Sequence, residues 1–191
     1  MARDHGREAK PRVLLLTGAP GIGKTTVVRR VAARLEGRRL KGFYTEEIRE
    51  AGGRLGFRLV TFDGGERVIA HVALPKAHRV GKYGVDVAAV DEAAGLLRLD
   101  PGVQVYLVDE IGKMECLSDR FIANMRALVA GRTPVIATVG LRGGGFVAEV
   151  KRSKGCLLWE VTRANRNELA SRVVAWLMET APLGKPAPGE R

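Results

Sequence analysis

The stretch "RVLLLTGAPGIGKTTVVRRVAARLEG", residues 12–37, contains the features that decide the fold. It opens with a short apolar run that predicts a buried strand ending at Gly18. From Lys24 onward, apolar residues recur at helical spacing, which predicts an amphipathic helix ending near Gly37. Between the two, "GAPGIGKT" fits the pattern G-x-x-x-x-G-K-[ST]. The pattern therefore stands where a phosphate-binding loop requires it, after a strand and before a helix.

The residue types in this loop suit phosphate chemistry. Glycines let the backbone N–H groups turn inward towards phosphate oxygens, and the helix N-terminus adds a positive end. We predict that Lys24 reaches the β- and γ-phosphates and that the hydroxyl of Thr25 coordinates Mg²⁺. The predicted nucleotide-binding residues of the loop are Gly18, Ala19, Pro20, Gly21, Ile22, Gly23, Lys24, Thr25 and Thr26.

A second segment, "VYLVDEIGKMEC" (residues 105–116), changes from apolar to charged within a few residues. A phosphate loop needs an acid for its metal ion at the end of a neighbouring buried strand, and we assign Asp109 to that role, with Thr25 as the other metal ligand. Glu110 stands where a carboxylate can orient or deprotonate water. Lys113 is a candidate for neutralising charge on the transferring phosphoryl group, or a solvated lysine before a helix. The role of Glu115 stays open.

The rest of the chain alternates between predicted strands and helices. Strands are predicted at 42–50, 54–62, 67–74, 103–109, 134–139 and 155–162, and helices at 85–99, 117–131 and 165–180, with a flexible glycine-rich segment at 140–145. The first two of these strands flank "AGG", and glycine in the turn predicts a hairpin. Such alternation predicts an α/β fold with a mostly parallel sheet, which binds ligands at the carboxyl ends of its strands.

Composition limits the class of protein. A chain of 191 residues, 46% hydrophobic, predicts a single domain over residues 1–181, with a Pro/Gly-rich tail at 182–191 that we expect to be disordered. No apolar run approaches a membrane span, and the charged N-terminus does not resemble a signal peptide. We therefore expect a cytoplasmic monomer with no membrane partner. The few Asn and Gln residues favour a thermophilic source. Cys116 and Cys156 are expected to be reduced, although a disulfide is an alternative.

The net charge of +11 raises the question of an anionic partner. Basic residues are concentrated early in the chain, on and just after the first predicted helix. One interpretation is a nucleic-acid surface. The other, which we favour because no aromatic residues are interleaved with the basic ones, is a solvated basic face near a polyphosphate site.

Several motifs together resemble one family. In order they are "TGAPGIGKTT", "FYTEEIR", "GKYGVDV", "DEIGKME", "VIATV" and "NRNEL". Over residues 12–177 the chain is similar to the THEP-type nucleoside-triphosphatases, which are small P-loop enzymes. The resemblance implies a three-layer P-loop NTPase core, RecA-like or kinase-like, with an added β-hairpin region. It also implies Mg²⁺-dependent hydrolysis of ATP, GTP, CTP and UTP to the diphosphate and phosphate.

The resemblance also implies roles for particular residues. It assigns phosphate binding to residues 18–26. It assigns binding of the metal ion and of the attacking water to Asp109 and Glu110. It also supports Lys113 as a catalytic residue. The chain departs from the family at Gly140, where members often have a histidine, and in the segment that follows. Further candidate contacts to the nucleotide or the site are Arg49, Lys82, Tyr83, Arg142, Arg152 and Arg166.

Two other functions stay open from the sequence. The first is a small-molecule or nucleotide kinase with leaky hydrolysis, in which Glu110 serves an acceptor hydroxyl instead of water. The second is a nucleotide-dependent module that uses its basic helix to bind RNA or DNA.

Overall fold

The computed structural model describes residues 11–181, so the predicted tail at 182–191 lies outside the described residues. A nine-stranded sheet in the order β5-β6-β4-β3-β2-β7-β8-β1-β9 forms its centre. The strands are β1 Val13–Thr17, β2 Leu40–Glu50, β3 Gly53–Thr61, β4 Glu66–His71, β5 Arg79–Val80, β6 Tyr83–Val85, β7 Val105–Ile111, β8 Val135–Val139 and β9 Cys156–Glu160. The helices are α1 Lys24–Arg34, α2 Val87–Ala94, α3 Asp119–Ala130, α4 Gly145–Arg152 and α5 Leu169–Thr180.

One half of the sheet is parallel and is covered by helices on both faces. Strands β2, β7, β8, β1 and β9 pair in parallel. Along β1, Leu14 and Leu16 pack in the apolar cluster that contains α1 and α5. Val13 and Leu15 point the other way, into the cluster that contains α2, α3 and α4. This alternation confirms the predicted three-layer α/β fold, because each face of the sheet buries a separate core.

The other half of the sheet is antiparallel. The hairpin predicted from "AGG" is present, with Glu50 opposite Gly53. Strands β4, β6 and β5 then extend it. The predicted β-hairpin region is therefore larger than one hairpin, and the motif "GKYGVDV" supplies the turn between β5 and β6 together with strand β6.

Two segments differ from the sequence-based prediction. The helix predicted over 85–99 is shorter, because Val85 belongs to β6 and the side chain of Asp86 caps the helix by accepting from the N–H of Ala89 at 3.0 Å. Helix α4 is absent from the prediction, because glycines precede it in the sequence. Its apolar residues Phe146 and Val150 are buried against the core, which explains why the helix forms.

The carboxyl ends of β1, β7 and β8 meet at one edge of the sheet. Leu16 of β1 lies opposite Thr138 of β8, and Val108 of β7 lies opposite Ala137. The phosphate loop, the acidic pair after Val108 and the segment after β8 consequently converge at that edge, as expected for a parallel sheet.

Candidate active site

The phosphate loop leaves β1 at Gly18 and enters α1 at Lys24. At Gly18, φ is +151° and a Cβ atom would lie 2.7 Å from the carbonyl oxygen of Val161, so a larger residue does not fit. Gly23 precedes α1 in a left-handed conformation. The loop thus takes the shape that the G-x-x-x-x-G-K-[ST] pattern predicts.

Lys24 is buried and lies across the loop. Its Nζ donates to the carbonyl oxygen of Gly18 at 3.4 Å and forms an ion pair with Glu110 Oε2 at 3.7 Å. The ammonium group is therefore positioned between the loop and the acidic strand end. A phosphate in the loop would meet a lysine already fixed at its base, with no need to bring the side chain in from solvent.

Asp109 is almost fully buried, with 1% of its surface exposed. Thr25 Oγ1 donates to its Oδ2 at 2.6 Å, and Thr138 Oγ1 donates to its Oδ1 at 2.5 Å. Burial raises the pKa of Asp109, and the two hydroxyl hydrogen bonds, Lys24 and the backbone N–H of Thr45 oppose that rise. The structure brings the two predicted metal ligands, Thr25 and Asp109, into direct contact.

Thr138 is a site residue that the sequence interpretation missed. It is fully buried and orients the carboxylate of Asp109 from the neighbouring strand. The signal in the sequence is a lone hydroxyl in the apolar strand "VIATV", which becomes informative only when β8 is known to pair with β7.

Glu110 is half-buried and faces the segment after β8. Its Oε1 lies 3.9 Å from the position that a Cβ on Gly140 would occupy. Burial raises the pKa of Glu110 and Asp109 raises it further, whereas Lys24 and Lys151 lower it. A carboxylate with a raised pKa is a better proton acceptor, which fits the predicted role of a base.

Glu115 lies in a 3₁₀ turn after β7, and its side chain is 4% exposed. The position of a Cβ on Gly112 would be 2.7 Å from Glu115 Oε2 and 3.2 Å from Glu110 Oε1, so both carboxyl groups lie close to Gly112. Burial, with smaller contributions from Glu110 and Asp109, raises the pKa of Glu115 to about 8. Glu115 is therefore a neutral acid at pH 7.

The remaining candidates fall into two groups. Lys113 and Arg142 are exposed and line the cavity next to the phosphate loop. Arg49 is paired with Glu47 at 2.6 Å, and Arg152 donates to the carbonyl of its own helix at Ala148. These two arginines are engaged away from the phosphate loop.

The motif "GKYGVDV" serves the hairpin region. Tyr83 is buried, and its hydroxyl accepts from Arg54 at 3.0 Å. Lys82 lies over the Tyr83 ring at 5.4 Å. Tyr83 therefore anchors β6 to the hairpin strand β3, which carries Arg54.

Arg166 lies on the β9 side of the phosphate loop. Its Nη1 donates to the carbonyl oxygen of Ile22 at 3.3 Å, and the side chain is exposed. Asn165 fixes the preceding turn by accepting from the N–H of Thr162 and donating to the carbonyl of Glu160. This geometry leaves Arg166 next to the loop, where we predict a contact with the nucleotide.

A cavity of about 800 Å³ runs from the phosphate loop towards the hairpin region. Lys24 and Glu110 lie at one end, and Phe57 and Val80 at the other. Among residues 11–181, no group of three or more His, Cys, Asp or Glu side chains is arranged to hold a metal ion.

A model of the family described as NTPase matches residues 13–174. The chain belongs to this NTPase family. The family membership predicted from the motifs is confirmed, and the matched segment contains every residue placed in the site above.

Similar proteins come from bacteria and animals. The chain is 38% identical over 164 residues to the nucleoside-triphosphatase THEP1 of Thermotoga petrophila, covering 84% of this chain and 90% of that one. It is 36% identical over 180 residues to the human cancer-related nucleoside-triphosphatase, covering 85% and 95%. The crystal structure of THEP1 from Aquifex aeolicus superposes with a TM-score of 0.78 at 33% identity, covering 86% and 98%. These NTPase relatives share the fold over nearly their whole length.

The part of the chain that the structure describes contains no helix long and apolar enough to cross a membrane. Both cysteines are free, as expected, and burial raises the pKa of the Cys116 thiol to about 12. This thiol is consequently unreactive at neutral pH and serves packing.

Proposed function

We propose that this protein is a Mg²⁺-dependent nucleoside-triphosphatase that hydrolyses ATP, GTP, CTP and UTP to the diphosphate and phosphate. The observation that carries the proposal is the contact between Thr25 and Asp109 at 2.6 Å, beside the ion pair between Lys24 and Glu110. The phosphate loop, the proposed metal ligands and the proposed base thus lie next to one another. The names of the relatives, nucleoside-triphosphatases, support the same activity.

The ligands available at Asp109 and Thr25 fit magnesium. A carboxylate and a hydroxyl are hard oxygen donors, and Mg²⁺ is usually bound by one or two protein oxygens together with phosphate oxygens and water. Asp109 and Thr25 would hold the ion, which would neutralise the charge that develops on the β- and γ-phosphates. A buried carboxylate whose protein partners are hydroxyls and an N–H group is suited to a cation.

Glu110 is the proposed base for the attacking water. In the structure its carboxylate is paired with Lys24, and this pairing lowers the pKa of Glu110. A triphosphate attracts Lys24 to its own oxygens. Glu110 then loses part of its cationic partner, and its affinity for a proton rises when the water must be deprotonated. Nucleotide binding and activation of the base are coupled through one lysine.

The proposed tolerance for different nucleobases follows because most contacts are made to the phosphates. Backbone N–H groups of residues 18–26, Lys24 and the metal ion all act on phosphates, which every nucleoside triphosphate shares. Arg166 is an exposed neighbour of the loop, so its guanidinium could stack on any base. We expect slow turnover, on the order of 10⁻⁴ to 10⁻² per second, as for P-loop enzymes without an external arginine.

The test is Lys24→Ala, with Lys154→Ala as the matched control, because Lys154 is an exposed lysine outside the site. Phosphate release from ATP and GTP with Mg²⁺ should fall at least about 100-fold in the first variant and stay unchanged in the second. Circular dichroism must show that both are folded. A folded Lys24→Ala protein with full activity would refute the assignment of the phosphate loop.

One observation favours a second candidate function, phosphoryl transfer to an acceptor other than water. The cavity continues well beyond Glu110 towards the hairpin region, further than an attacking water requires.

A further inference from the structure

The cavity and Arg166 lie on opposite sides of the phosphate loop. The loop leaves β1, whose neighbours in the sheet are β9 on one side and β8 on the other. Arg166 follows β9, whereas the cavity extends over the ends of β8, β7 and β2. A nucleotide whose base turns towards Arg166 fills the space over the phosphate loop with its phosphates and leaves the rest of the cavity open for another molecule.

The cavity is built like a small-molecule site. Its volume of about 800 Å³, which includes the space over the phosphate loop, falls within the range of ligand pockets, and its wall is more apolar than polar. The apolar lining includes Phe57, Val80, Ile111, Met114, Cys116, Ile122, Phe146 and Val147. One of the polar groups is Glu115, which is 4% exposed. Its carboxyl group and that of Glu110 both lie close to Gly112.

Among the described residues, the far end next to Phe57 and Val80 offers no free cation to a phosphate group, whereas Lys113 and Arg142 line the cavity elsewhere. Arg54 is the cation among the described residues that line this end, and it donates to Glu47 and to the hydroxyl of Tyr83. Glu47 also pairs with Arg49 at 2.6 Å. Since the guanidinium of Arg54 is already matched by a carboxylate, a ligand phosphate here would find no uncompensated positive charge. An uncharged ligand meets no such penalty.

We propose that this cavity binds a second substrate, an uncharged ring-bearing alcohol of about nucleoside size, with its hydroxyl at Glu110. The ring packs against the apolar wall, and the polar edge of the molecule reaches Thr45 and Glu115. The inference rests on the proposed triphosphate chemistry at Lys24, because the same γ-phosphoryl group is transferred.

The reaction is balanced without a further reagent. The hydroxyl oxygen of the alcohol attacks the γ-phosphorus, and the bond from that phosphorus to the β,γ-bridging oxygen breaks. The nucleoside diphosphate leaves, and the hydroxyl proton passes to Glu110. Water takes the place of the alcohol when none is bound, which gives hydrolysis.

The experiment uses γ-³²P-labelled ATP with Mg²⁺ and five uncharged ring alcohols: adenosine, guanosine, cytidine, uridine and pyridoxine. Adenosine and uridine 5′-monophosphates serve as charged counterparts. We expect label on the hydroxyl of at least one uncharged probe, and at least tenfold less on either monophosphate. No labelled probe, or a monophosphate labelled as well as the uncharged probes, would overturn the proposal.

A pair of variants ties the transfer to the cavity. Val80→Trp fills its far end, and Val68→Trp is the control, since Val68 is 43% exposed on β4 and does not line the cavity. Transfer should fall at least tenfold in Val80→Trp only, with phosphate release from ATP alone unchanged in both. Ile122→Phe, on the α3 wall, repeats the test if Val80→Trp does not fold. If a folded cavity variant transfers label to the probe as fast as the wild type, the probe does not bind in this cavity.

Phosphate release measured without any probe separates the two proposals. Wild-type protein that hydrolyses ATP but labels none of the probes would overturn the second substrate and leave the triphosphatase standing. Protein that neither hydrolyses ATP nor labels a probe would overturn both.

Discussion

Replacement of Glu115 by glutamine should make the protein more stable at alkaline pH. Glutamine has nearly the shape of the neutral carboxylic acid, so the substitution should change little at pH 6. The folded protein holds a proton on Glu115 up to a pKa of about 8, whereas the unfolded chain releases it near 4.5. Between these values the unfolded state binds fewer protons, so the free energy of unfolding falls as pH rises.

The magnitude follows from the two pKa values. Each pH unit between them costs the wild type about 1.4 kcal/mol, and the loss levels off above the folded-state pKa. From pH 6 to pH 9 the wild type should lose about 2.5 kcal/mol relative to Glu115→Gln. Other titrating groups are the same in both proteins and cancel in this difference.

Urea unfolding of both proteins at pH 6 and pH 9, at equal ionic strength, measures the effect. The matched control is Glu149→Gln, because the exposed Glu149 carboxylate pairs with Arg126 and its pKa is lowered. That group is ionised in both states across this range, so its variant should show no pH-dependent difference. A Glu115→Gln protein whose stability parallels the wild type from pH 6 to pH 9 would refute the inference that Glu115 is a buried neutral acid.

Three further changes test the site and the sheet. Thr138→Val removes the hydroxyl that orients Asp109 and should lower activity about 10- to 100-fold, most strongly at limiting Mg²⁺, in phosphate-release assays. Gly42→Ala should lower the free energy of unfolding by at least about 2 kcal/mol in urea titrations, because its Cβ would lie within van der Waals overlap of the carbonyl oxygen of Leu107. Arg166→Ala should raise the KM for all four triphosphates by a similar factor in steady-state kinetics.

Each of these predictions has a control. Thr17→Val removes a buried hydroxyl that has no hydrogen-bond partner within the described residues, so activity and stability should be retained. Gly52→Ala introduces a side chain at positive φ but into open space, and should cost only about 1 kcal/mol. Equal effects of Thr17→Val and Thr138→Val, or of Gly52→Ala and Gly42→Ala, would contradict the reasoning. An Arg166→Ala effect confined to one base would argue against base-independent recognition.

The sequence predicts the phosphate loop and the strand that carries Asp109 because both are local patterns. In each case an apolar run followed by a short polar motif determines where the strand ends and what stands there. The register of the sheet then brings Asp109 to Thr25, and parallel topology suffices to anticipate that meeting.

The rest of the site depends on burial and on distant pairing. Glu115 reads in the sequence as an acid near a helix start, and only the packed structure shows its carboxyl group enclosed beside Glu110. Thr138 lies 29 residues from Asp109 in the chain, and no local pattern links them. Helix α4 is not predicted, because the run of glycines before it is typical of a flexible loop. Only the structure shows that Phe146 and Val150 form its buried face. The cavity has no sequence signal, since the residues that line it come from separate elements.

Strand β2 belongs to both halves of the sheet. Through Leu40–Phe43 it pairs in parallel with β7, and from Phe43 onward it pairs with the hairpin strand β3. Two residues after the parallel pairing ends, the N–H of Thr45 reaches the carboxylate of Asp109. The register between β2 and β3 shifts at Ile48 and Arg49, which lie further along β2 than this contact. The N–H group that contacts Asp109 therefore belongs to the regularly paired part of β2, and the irregular pairing lies further out along the hairpin.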